Sequence, residues 1–223
     1  MTGDHDGLRL TVDLATFAAW RAGSPGWAVP QEFDIEAVGG SPPEHDAGAG
    51  ASAGAGARVM PAFVAASLAV HAAADAAVRL RVDDGAVRLV ACLSIAGDLA
   101  AVLVRAARAV PAAHWAAGGW VQVALVPAAQ AVPEILSWVP EPVEVTTPDA
   151  GSMELLVVGA GDAGAGELAR WVVADGEWHR LVPRSGGEVE LRPATRVGLT
   201  SELTAALVRV LAERPLRGDD ADG

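Results

Sequence analysis

The residues nearest to recognisable chemistry are Gly159, Gly161 and Gly164, which fit G-x-G-x-x-G directly after the apolar run MELLVV (153–158). In a dinucleotide-binding turn such glycines let the backbone approach a pyrophosphate, and the following helix aims its N-terminus at the phosphates. What comes after the turn fits this poorly. Gly166 falls inside the would-be helix, Trp171, Val172 and Val173 favour a strand, and Asp175-Gly176 is a hairpin signal. The fingerprint also wants a ribose-binding acid about 20 residues on, where Pro183 and Arg184 stand instead. Too little chain remains to complete a doubly wound sheet. A dinucleotide-binding oxidoreductase is therefore the alternative reading, and no cofactor is expected.

Other chemical constellations are weaker still. His5, His45, His71, His114 and His179 are scattered, no pair has metal-ligand spacing, and local satisfaction accounts for each better than a metal. Asp83-Asp84 and Asp175 stand beside Gly85 and Gly176, so turn formation explains them better than acid-base catalysis. Ser94, Ser152 and Ser185 lack the G-x-S-x-G context of a nucleophile elbow. The single Cys92 lies in an apolar run, where a small buried thiol is the expectation. No catalytic or metal-binding residue is assigned, and the chain is read as a protein other than an enzyme.

Charge and composition narrow the partners. The net charge of −12 sets a field that repels nucleic acid and anionic membrane surfaces. Every one of the 16 basic residues is arginine, and the first 57 residues hold eight acids against Arg9 and Arg21. The start MTGDHDG has neither the basic nor the apolar region of a secretory leader, which points to a cytoplasmic protein. The long uncharged stretch 109–133 is interrupted by Pro111, Gly118-Gly119, Pro127 and Pro133, so it is no membrane helix. Much of the 52% hydrophobic content is alanine, which buries little area. With no Tyr and three Phe, the seven Trp must anchor the core or an interface.

The elements that position these residues follow from periodicity. Residues 8–12 alternate as a strand, Asp13 is placed to cap a short helix through Trp20, and a helix follows Pro61 to about residue 76. Between them, 38–57 is a Gly/Ala-rich run expected to be disordered, as is the acidic tail 215–223. Strands are expected at 78–82, 86–94, 99–105 and 120–126, then a helix over 128–138 that Pro133 must shorten or kink. A second series at 153–159, 167–173, 177–183 and 188–192 ends in a helix from Ser201 to Glu213, capped by Thr200 or Ser201. Tight Asp-Gly turns make the strands antiparallel, and helices that come in blocks give an α+β class.

These two series read alike. GGWVQVALVPAAQAVPEIL (118–136) and GGEVELRPATRVGLTSEL (186–203) each run from a Gly-Gly turn through a strand and a proline break to a helix. The expectation is one domain over 8–214, a central twisted antiparallel sheet with flanking helices and a quasi-two-fold internal repeat of about 77–140 and 152–214.

With LRLTVDLATFAAW at its start, VRLRVDDGAVRLVACL, and GEWHRLVPRSGGEVELRPATRVGLTSELTAALVRVLAE near its end, the chain resembles the EspG family of actinobacterial type VII (ESX) secretion-associated proteins. The resemblance covers most of residues 8–213 and is one of pattern, without an invariant motif. It implies an antiparallel sheet of quasi-two-fold symmetry and a cytosolic chaperone that binds the tip of helical PE-PPE secretion substrates. The expected partner is accordingly a helical-hairpin protein, and an exposed sheet edge leaves a homodimer open. Candidate partner-binding residues are Trp115, Trp120 and Trp138, around the uncharged loop from Val110 to Gly119; core packing is the competing role for each.

Overall fold

Residues 76–83 (AAVRLRVD) alternate apolar and polar side chains, as a strand buried on one face must. Such alternation recurs along the chain and builds a sheet whose strands are all antiparallel. The computed structural model describes residues 8–22, 59–83, 87–110, 114–115, 120–141, 151–159 and 167–212. The run 38–57 and the tail 215–223 lie outside the described residues.

The strands are β1 (Leu8–Asp13), β2 (Ala76–Asp83), β3 (Val87–Ala96), β4 (Leu99–Val110), β5 (His114–Trp115), β6 (Trp120–Pro127), β7 (Ser152–Gly159), β8 (Glu167–Ala174), β9 (Glu177–Pro183) and β10 (Val189–Pro193). The helices are α1 (Leu14–Ala22), α2 (Ala62–Ala72), α3 (Ala131–Leu136) and α4 (Arg196–Ala212). The architecture is α+β, with the sheet order β1-β6-β4-β3-β2-β7-β8-β9-β10 and β5 pairing only with β4. Outward from the central β2–β7 pair the chain runs β2, β3, β4, β6 on one side and β7, β8, β9, β10 on the other. Because β2 and β7 are antiparallel, a half-turn about this pair exchanges the two series. The matching sequence segments fall on β6 with α3 and on β10 with α4.

The helices make two layers of unequal extent. On one face α3 and α4 cover a core running from Val126 on β6 through Leu80 and Leu155 at the centre to Trp171 and Trp178. Trp178 donates its Nε1–H to the Pro140 carbonyl at 3.1 Å. On the other face α1 and α2 bring Phe17, Trp20, Val64 and Leu68 onto Cys92, Leu103, Val121 and Val123. This second core rests on β3, β4 and β6.

Local chemistry explains the helix boundaries. Asp13 caps α1 by accepting from the Thr16 amide at 2.7 Å and the Thr16 hydroxyl at 2.8 Å. Pro133 is accommodated because a 3₁₀ turn (Ala128–Gln130) takes up the start, leaving it in the first turn of α3, where no intrahelical N–H bond is lost. The final helix begins at Arg196 and not at Ser201. Thr195 is its cap, accepting from the Gly198 amide at 3.1 Å, while the Thr200 hydroxyl donates back to the Arg196 carbonyl within the helix. Arg196 then donates to the last carbonyls of the α3 segment, Leu136 at 2.7 Å and Val139 at 3.1 Å, and so ties the two helices together.

Candidate partner-binding face

The glycine fingerprint is placed by its strands. Gly159 ends β7, and the next element, β8, returns antiparallel to it with Val157 opposite Glu167. A dinucleotide turn requires a helix and then a parallel strand, so this connection has the wrong topology. Gly161 and Gly164 lie outside the described residues. Gly159 has a packing role instead, since a Cβ there would stand 3.1 Å from Val210 Cγ1 on α4.

The other singled-out residues are dispersed. Asp175 (φ 53°) and Gly176 (φ 76°) form a two-residue left-handed turn between β8 and β9. Asp83 pairs with Arg88 across the β2–β3 hairpin at 2.8 Å. Asp84 lies outside the described residues. Cys92 is buried, and His71 and Ser94 form a buried pair between α2 and β3. Burial alone pushes the His71 imidazole down to about 4, so it is neutral at ordinary pH. His179 sits on β9 with both ring nitrogens buried and without hydrogen-bond partners among the described residues. Among the described residues no group of three or more His, Cys, Asp or Glu side chains converges as a metal site would require.

Of the three candidate tryptophans, two meet. The rings of Trp120 on β6 and Trp138 beyond α3 lie 5.7 Å apart at 42°, packed against the core beneath α3 and α4. Trp115 is on β5 opposite Ala109 of β4, and most of the loop from Val110 to Gly119 lies outside the described residues. A cavity of about 580 Å³ between α3 and α4 is lined mainly by apolar groups such as Val132, Leu207 and Leu211. The threonine hydroxyls at its wall are turned away, Thr200 onto the Arg196 carbonyl and Thr204 onto the Thr200 carbonyl. Asp75 is the one charged residue of its described lining, so it offers few anchors for a polar ligand.

Among the described residues, the two faces of the sheet are covered to different extents. On the face carrying α1 and α2, their packing is against β1, β3, β4 and β6. Beyond them, β7 presents Leu156 and Val158 and β8 presents Val172, all half-buried, and β10 presents Val189 and Leu191, 56% and 49% exposed. Arginines interrupt this apolar field. Register places Arg105 (β4), Val90 (β3), Arg81 (β2), Glu154 (β7) and Arg170 (β8) in one row across five strands. Glu154 takes Arg170 at 2.9 Å and Arg81 at 3.7 Å. Arg105, half-buried at the margin of the second core, has no partner among the described residues, and desolvation lowers its guanidinium below the ordinary arginine range.

Sequence reasoning did not single out this row. Its signal is the alternation in VRLRV (78–82), where the arginines face away from the core. Bringing Arg105 and Arg170 beside them takes the strand register.

No protein-family model and no curated protein matches the chain. Among solved structures it is similar to the Mycobacterium tuberculosis type VII secretion system chaperone EspG5 in complex with the PE25-PPE41 dimer. The TM-score is 0.47 at 12% identity, over 94% of this chain and 98% of that one. No helix among the described residues is long and apolar enough to cross a membrane.

Proposed function

We propose that this chain is a cytoplasmic, non-enzymatic chaperone or adaptor of a type VII secretion system, which shields the apolar tip of a helical-hairpin substrate of PE-PPE type before export. The observation that carries this reading is the unequal layering of the sheet. One face is closed by α3 and α4, whereas on the other the described helices stop at the first series, and beyond them the half-buried Leu156, Val158 and Val172 and the exposed Leu191 lie beside a row of charges. An apolar surface rimmed by polar groups is the signature of a protein-binding site, and a helical hairpin needs such a surface to keep its own apolar side chains from water. The resemblance of LRLTVDLATFAAW and of the paired strand-helix segments to the EspG pattern supplies the class of partner.

Co-expression with helical-hairpin proteins encoded beside this chain tests the reading. A stable complex that elutes as one species supports it, and failure of every such protein to co-purify sinks it. The outer edge of β10 favours a second reading, since Val189 and Leu191 are exposed on a terminal strand. A second copy pairing there would give a dimer visible by light scattering.

A further inference from the structure

We infer that the open sheet face takes an acidic helix of its partner, laid along the row Arg105–Arg81–Arg170 so that carboxylates meet the guanidiniums. This rests on the reading of that face as a partner surface. In a chain of net charge −12, the described residues of β2, β3, β4, β7 and β8 place arginines 79, 81, 88, 105 and 170 on this face against Asp83 and Glu154. The sign of these strand side chains is therefore opposite to that of the whole molecule. Glu154 is shared between Arg81 and Arg170, so one carboxylate faces two guanidiniums and leaves positive charge in excess. Arg105 adds a guanidinium with no partner among the described residues and with its solvation already reduced. A guanidinium in that state gains most from a carboxylate arriving with the partner, as a forked, charge-assisted pair.

The spacing selects the shape of the acid. Arg105 and Arg81 are separated by one intervening strand, as are Arg81 and Arg170. Two strand spacings are about 9.5 Å, and seven residues of α-helix rise about 10.5 Å. A helix crossing the strands with acids at every seventh position thus meets the three arginines in turn. Its apolar residues then fall on Leu156 and Val172, to either side of the row.

The probe is a synthetic amphipathic helix of about 21 residues with Glu at every seventh position of its leucine face, compared with a Gln version, titrated against the full chain by fluorescence anisotropy. The Glu peptide is expected to bind about tenfold more tightly than the Gln peptide. Arg81→Gln/Arg170→Gln should remove that advantage, leave affinity for the Gln peptide unchanged and retain the wild-type melting temperature, because both side chains are exposed. Adding Arg105→Gln should weaken the Glu peptide further.

Equal binding of the two peptides would overturn the inference, as would arginine variants indistinguishable from wild type, or heparin binding as tightly as the Glu peptide. The chaperone reading fails separately. If a hairpin protein co-purifies unaffected by the arginine variants, only the acidic-helix inference falls; if the peptides behave as expected and no hairpin protein is captured, only the chaperone reading does.

Discussion

His71 Nδ1 on α2 lies 2.7 Å from Ser94 Oγ on β3, and this one hydrogen bond ties a polar group on the helix to one on the sheet inside an apolar layer. The other ring nitrogen, Nε2, is buried without a partner among the described residues. Protonation would place a cation there, which is why burial depresses the imidazole from 6.5 to about 4. Between those pH values the unfolded chain binds a proton that the folded chain refuses. Stability is then fully present above pH 6.5 and falls as pH drops towards 4, by at most about 3 kcal/mol. Urea midpoints taken from pH 8 to pH 4.5 should show this decline, and His71→Gln should flatten it while lowering the midpoint at pH 8. An identical pH slope in the variant would assign the decline to other groups.

Arg9 and Glu134 join the edge strand β1 to α3 by an ion pair, with the carboxylate side chain only 5% exposed. Removing the guanidinium leaves a nearly buried charge without its counter-ion, whereas removing both groups leaves none. Arg9→Met is therefore expected to destabilise by about 2 kcal/mol, and Arg9→Met/Glu134→Leu by less than Arg9→Met alone. Chemical denaturation of the three variants checks the order. A double variant weaker than the single one would show that the pair is not the main contact of Glu134.

Gly159 packs against Val210. Its missing Cβ would sit 3.1 Å from Val210 Cγ1, and larger branches would push α4 away from β7. Gly159→Val should cost about 1–3 kcal/mol through overpacking, and Gly159→Val/Val210→Ala should recover part of that. Thermal melts of wild type with nicotinamide and flavin nucleotides should show no stabilisation. A ligand-dependent shift of several degrees that Gly159→Val abolishes would restore the nucleotide reading.

The turn chemistry was the most legible part of the sequence. Asp175-Gly176 takes the left-handed pair of angles that its residue types allow, and the strands it joins are antiparallel as a consequence. The duplicated β6–α3 and β10–α4 segments likewise foretold a sheet readable outward from its centre. Helix α4 was harder to delimit. Gly198 interrupts the apolar spacing in its first turn, so the strong pattern starts near Ser201 although the chain is already helical from the Thr195 cap. The extent to which the described helices cover the arginine face was not legible at all. Alternation tells which way Arg79 and Arg81 point, but where the layer above them ends depends on α2 settling over β3, β4 and β6, a tertiary fact without a local signature.

Trp120 and Trp138 were candidates for partner contact, and their place in the fold makes packing the expectation to test. They lie on the face closed by α3 and α4, opposite the arginine row, with ring centroids 5.7 Å apart. A tilted aromatic pair adds about 0.5–1.5 kcal/mol beyond its buried area, so a double-mutant cycle with Trp120→Leu and Trp138→Leu should return a coupling in that range. Trp138 Nε1 is buried with no acceptor among the described residues, so Trp138→Phe, which keeps a ring and deletes that donor, should cost less than Trp138→Leu. Both variants should capture a co-expressed hairpin partner as well as wild type at temperatures where they stay folded. Loss of capture by Trp138→Phe with an unchanged melting temperature would move the binding surface to the helical face.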